Sequence, residues 1–196
     1  MKQSFKISAF ALLFSLAQGC VTSLESEVEI NSRLEDDAEY FSVYDKYSQK
    51  MNVFSKFEMK YSMHATYLSD SFIAALSQRF QRLYKTNEPM LQEASSKTGF
   101  FVSVYSPEYG AMNISDGDLW KIFMSVDGDR VFPTAIKSVG VKERWQPFFA
   151  GVTHWSREFL VLFDTKMLDP NLDEMVQKTD TNLVFSHADA SVTFKW

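Results

Sequence analysis

One cysteine, seven glycines, five prolines and three histidines in 196 residues leave little room for several protein classes. A lone cysteine excludes a disulfide scaffold and a cysteine-rich zinc module. So few glycines and prolines exclude collagen-like and low-complexity material. The three histidines, His64, His154 and His187, fall into neither an H-x3-H nor an HExxH spacing, so no standard zinc site is written in the chain. There is no P-loop, no GxGxxG and no glycine-flanked serine of the G-x-S-x-G kind, so no cofactor is expected. A net charge of −5, with 20 basic and 25 acidic residues, speaks against nucleic-acid binding, which needs a basic face to displace counterions. Aromatic residues, by contrast, are plentiful. Eighteen Phe, eight Tyr and four Trp supply the side chains of a real core, in a chain long enough for one domain.

The first twenty residues have the three parts of an export signal. Lys2 and Lys6 form a positive start, Ile7 to Ala17 is an uncharged run of eleven residues, and Ala17-Gln18-Gly19 is a cleavage-type segment. The run is shorter than the ~20 apolar residues a spanning helix needs. Cys20 follows directly. Leu16-Ala17-Gln18-Gly19-Cys20 resembles the lipobox of bacterial lipoproteins, although Leu is commoner than Ala at position 17 and Gln18 is bulkier than usual. The resemblance implies cleavage before Cys20 and diacylglycerol on its sulfur, and hence a protein held on a membrane by lipid. Ordinary secretory cleavage after Gly19 is the alternative, and it would leave an unpaired thiol at the new terminus. Val21 rather than Asp after the cysteine implies, by analogy with Gram-negative lipoproteins, the outer membrane, facing the periplasm or the cell surface. Cleavage would remove two lysines and no acid, taking the net charge to about −7. Residues 20–32, with Glu25, Glu27 and Glu29, read as the lipidated cysteine and a solvated tether.

One domain is expected from residue 33 to 196. Leu34, Ala38 and Phe41 predict an N-terminal helix within 33–50. Period-two alternation from Val53 to Tyr67, with polar even positions from Lys56 on, predicts one long strand with a dry and a wet face, His64 lying on the wet one. Ser69 can cap a helix to about Lys85 with the stripe Phe72, Leu76, Phe80 and Leu83, and a second short helix is expected to start near Pro89 and end before Gly99. Arg79, Arg82 and Lys85 are expected near the C-terminus of the first of these, where the helix dipole favours cations. Strands follow at 100–105, 119–126, 131–139, 157–163, 182–186 and 191–196, with Asp127-Gly128 as a hairpin signal. The expected fold is mainly β (α+β): an antiparallel β-sandwich-like domain with a helical pair inserted at about 70–97, covering one end or one open edge of a sheet. The phrases Ala65-Thr66-Tyr67-Leu68-Ser69 and Phe101-Val102-Ser103-Val104-Tyr105, with a Trp-led hairpin and a closing strand, resemble a group of bacterial lipoproteins of unestablished function. Val192–Trp196 resembles the last strand of an outer-membrane barrel, but the helical block and the short strands argue against one.

Candidate chemistry is sparse. Asp116-Gly117-Asp118 and Asp127-Gly128-Asp129 read as turns, with a weak cation site as the competing possibility. A dispersed catalytic triad would require a histidine to meet a carboxylate and a nucleophile in one cleft. The most suggestive stretch is 145–155. Trp145, Phe148, Phe149, His154 and Trp155 are either anchors for a protein or envelope partner, or rings that plug one end of the core; the second reading is favoured. The expected function is that of a lipid-anchored envelope protein that binds or scaffolds. An envelope hydrolase and a purely structural lipoprotein are the alternatives.

Overall fold

Tyr40, Tyr44 and Tyr47 recur at four- and three-residue spacing and are the buried face of the first helix, α1 (Ala38–Tyr47). The computed structural model describes residues 37–126, 128–164 and 181–196, and Glu39–Trp196 group as one compact unit. Cys20, the tether and Leu34 lie outside the described residues. The α1 stripe differs from the expected Leu34, Ala38 and Phe41, because a tyrosine can bury its ring and still satisfy its hydroxyl. The Tyr40 hydroxyl donates to the Phe148 carbonyl at 2.8 Å, and the Tyr44 hydroxyl accepts from the Ala150 amide at 3.2 Å.

The long strand expected over 53–67 is instead part of a hairpin, β1 (Ser48–Ser55) and β2 (Glu58–Tyr67). Ser55 faces Glu58, and the two turn residues, Lys56 and Phe57, have φ of 51° and 68°. Two consecutive positive φ angles make the turn a mirror-image one, whose twist suits a hairpin. Its usual signature is Asn-Gly, so Lys-Phe concealed it. A bulge at Val53/Phe54 shifts the register.

Helix α2 (Asp70–Tyr84) begins as its sequence predicts, with the Phe72 amide donating to Ser69 Oγ at 3.2 Å. It ends at Lys85 in the left-handed conformation. Phe72, Leu76 and Phe80 are buried. So is Arg79, which was expected beside the helix dipole; its guanidinium lies 4.5 Å from the Tyr40 ring centroid and 4.7 Å from that of Phe41. Helix α3 (Pro89–Ala94) follows, and then β3 (Thr98–Tyr105). Next come β4 (Lys121–Val126), β5 (Asp129–Val131), β6 (Ala135–Ser138), β7 (Arg157–Phe163), β8 (Asn182–His187) and β9 (Ala190–Lys195).

The strands form two antiparallel sheets, of order β1-β2-β3-β7-β6 and β5-β4-β8-β9. This is a β-sandwich-like α+β fold and not a closed barrel. The single strand expected at 131–139 is divided. Pro133, which cannot donate to a ladder, stands where the chain leaves β5 in one sheet for β6 in the other.

Register explains the layering. Tyr67, Phe100 and Val161 share one face of the five-stranded sheet, toward the four-stranded sheet. Contacts across that interface include Phe100 with Trp196 and Tyr61 with Trp120. Thr66, Phe101, Leu160 and Lys137 share the opposite face. There Phe101 stacks on Phe149 at 3.8 Å with an interplanar angle of 6°, Phe149 meets Phe72 of α2, and Lys137 pairs with Glu93 of α3. The helices and the 145–152 segment therefore cover the middle of a sheet face, rather than an end or an edge. Burial on both faces is why β3 and β7 read as continuous apolar runs instead of alternating ones. An amide closes one seam: the Gln49 side chain donates to the Lys195 carbonyl and accepts from its amide, as a peptide group of a neighbouring strand would.

Candidate functional site

The 145–155 stretch divides at Gly151. Trp145, Phe148 and Phe149 are buried, packed against Phe80, Phe101 and Tyr44, so they belong to the core and not to a contact surface. Their apolar area leaves water only because the outer sheet face needs a cover, and here they are its cover. His154 and Trp155 emerge on the far side. Trp155 is 70% exposed, and the His154 ring meets its edge at 4.9 Å between centroids.

Trp155 and His154 line a surface groove of about 590 Å³, together with Tyr109, Met112, Lys142 and Arg157. Each wall has a structural origin. Tyr109 opens a 3-10 turn (Tyr109–Met112) after Pro107 ends β3, and it stays 69% exposed. Arg157, the first residue of β7, lays its guanidinium 4.0 Å from the Tyr109 ring centroid. The adjoining Arg157 guanidinium holds the Tyr109 phenol below its ordinary pKa. Lys142 opens a second 3-10 turn (Lys142–Arg144) behind Val141, a β-branched residue held at φ 54°. Such backbone strain in a β-branched residue is uncommon and clusters at functional sites. Lys142 Nζ donates to the carbonyls of His154 at 2.7 Å and Ser156 at 3.2 Å, clamping the Trp155 loop against the body.

Beneath the loop runs a polar row. His64, Ser103 and Glu158 occupy opposed positions on β2, β3 and β7 and so share one face of the five-stranded sheet. Ser103 Oγ donates to the Gly151 carbonyl at 2.5 Å. Ser156 Oγ donates to Glu158 Oε1 at 2.5 Å, and accepts from the Thr153 amide at 2.7 Å. Burial pushes the Glu158 carboxyl pKa up, against the Ser156 hydrogen bond and the Lys142 charge. Burial likewise pushes the His64 imidazole down, and Lys50 adds to the shift. His64 was expected on a solvent-facing side. It is half-buried instead, because the segment around Gly151 roofs it: a Cβ on Gly151 would lie 2.5 Å from His64 Cβ and Cγ.

These three residue types resemble a triad, but their order along the row does not serve one. A triad needs the imidazole between hydroxyl and carboxylate. Here the serine stands between the other two, its proton is given to a backbone carbonyl, and it is 2% exposed. The other histidines lie elsewhere. His187 packs on Trp120 and Tyr61, across the opposite face of the sheet, and His154 is on the outer loop. No cluster of three or more His, Cys, Asp or Glu able to hold a metal occurs among the described residues. Asp116 accepts from the Asp118 amide at 3.0 Å, the turn chemistry its Asp-Gly-Asp sequence suggests. Asp127 lies outside the described residues.

Tyr109, Lys142, Arg157 and Glu158 were not singled out by sequence. They come from three separate segments that only the tertiary fold brings together. One signal was present: Arg157-Glu158 is a charged pair opening an otherwise apolar strand, REFLVLF. No protein-family model matches the chain, nor does any curated protein or solved structure.

Proposed function

We propose that this chain is a lipid-anchored protein of the bacterial cell envelope whose β-rich body captures a partner or envelope component at the Tyr109–Trp155 groove. The observation that carries the binding reading is that the exposed rings of Trp155 and Tyr109 line one groove with Arg157 and Lys142. Large exposed rings set among fixed cations are the residue types that dominate binding hot spots. The loop bearing Trp155 is held by the Lys142 clamp and the Ser156 hydrogen bonds, so little ordering entropy is lost on contact. The anchor reading rests on Cys20 and the uncharged run before it. Two or more acyl chains anchor stably where one does not, so a diacylated Cys20 would confine the body to a surface and raise its effective concentration for neighbours.

Two variants test this. Cys20→Ser is expected to move the protein out of the membrane fraction, and unchanged pelleting contradicts the anchor. Trp155→Ala, compared with the parent in affinity capture from solubilised envelopes, is expected to lose a species that the parent retains. Identical capture profiles contradict the groove.

A further inference from the structure

The β1–β2 hairpin carries a second surface, unrelated to the groove. Phe57 at its turn is fully exposed, at 105% of the reference value, with Phe54 62% and Met51 40% exposed. Phe54 stands opposite the partly buried Met59, near the end of the hairpin. The turn holds a lysine and a phenylalanine in the left-handed region, where glycine or asparagine would rest without strain. A chain that places Phe57 there forgoes the relaxed turn and gains an apolar tip. Charge around the tip runs against that of the whole molecule. Lys50, Lys56 and Lys60 stand against Glu58 on the hairpin and Glu108 beside it, in a protein whose net charge is −5. Lys60 lies 3.8 Å from Glu58 and 3.7 Å from Glu108 and is partly neutralised, whereas Lys50 and Lys56 are exposed.

We infer that this hairpin is a membrane-contact finger: Phe57 and Phe54 enter the headgroup region of an anionic bilayer while Lys50 and Lys56 face its phosphates. An aromatic tip backed by lysines matches the order in which an interface offers hydrocarbon and then negative charge. Such a contact is weak alone, and it sets which way the body faces once the chain is at a surface. It needs no lipid on Cys20, and it stands or falls separately from the anchor.

The test uses a chain starting at residue 21, which keeps the whole compact unit of residues 39–196 and removes the apolar run of residues 7–17. Its partition onto phosphatidylglycerol–phosphatidylcholine vesicles is measured by sedimentation, beside Phe57→Ser and Phe57→Gly. The parent is expected to bind anionic vesicles, more weakly at high salt and hardly at all to phosphatidylcholine alone. Either substitution is expected to lower the partition coefficient about tenfold, the loss of one ring from an apolar phase. Phe57→Gly is expected to do so with a melting temperature at or above the parent's, which separates lost contact from lost folding. Absence of parent binding, equal binding to neutral vesicles, or binding indifferent to Phe57→Gly overturns the inference. So does self-association through Phe57 in place of vesicle binding.

Discussion

Trp145 and Trp155 stand ten positions apart and are opposite in their physics. The first is 2% exposed against Phe80 and Phe101; the second is 70% exposed. Trp145→Ala or Phe149→Ala is expected to destabilise the fold by about 3–5 kcal/mol, as loss of a buried ring does. Trp155→Ala is expected to change stability by no more than about 0.5 kcal/mol. Urea unfolding of the three variants measures the contrast directly. Gly151 is set by close approach, so Gly151→Ala is expected to lose about 1–3 kcal/mol by forcing the loop off His64. The polar row beneath it makes stability depend on pH in two opposed ways. Glu158 has a raised folded pKa, so its environment favours the protonated form. The stability it confers is present below the unfolded pKa and is lost as pH rises through the folded one. Glu158→Gln is therefore expected to gain in stability relative to the parent between pH 4 and pH 7, read from denaturant midpoints at the two pH values. His64, with a lowered folded pKa, acts the other way: acidification below its unfolded pKa charges the unfolded state first and erodes stability.

At the scale of elements, the sequence was legible wherever one local rule acted alone. Ser69 caps α2, Pro89 opens α3, and the apolar run at 157–163 is β7. It misled where a second layer intervened. The even positions of β2 read as a wet face, yet Thr66 is buried and His64 half-buried, because the helices and the segment around Gly151 cover that side. The hairpin at Lys56-Phe57 was hidden because neither residue is one that positive φ favours. Relaxing that turn is expected to stabilise the hairpin: Phe57→Gly should gain about 1 kcal/mol in chemical denaturation, and a loss would mean that the ring packs on something in the folded chain. The segment 131–139 read as one strand because the change of sheet at Pro133 depends on partners far along the chain. The groove was legible only in part for the same reason. His154 and Trp155 form an aromatic phrase, whereas Tyr109, Lys142 and Arg157 converge from separate segments.

Across the described residues, three layers keep the inner strands β3 and β7 dry on both sides, and exposed aromatic surface includes the Trp155 groove and the Phe57 hairpin. No helix among the described residues is long and apolar enough to cross a membrane. The proposed attachment through Cys20 rests on the sequence of residues 2–20 alone. The most direct measurement is the intact mass of the native protein extracted from its membrane. The account predicts a chain that begins at Cys20 and is heavier than its polypeptide by a diacylglyceryl group, with or without a further acyl chain. A chain with an unmodified thiol, or one still carrying residues 1–19, would contradict it.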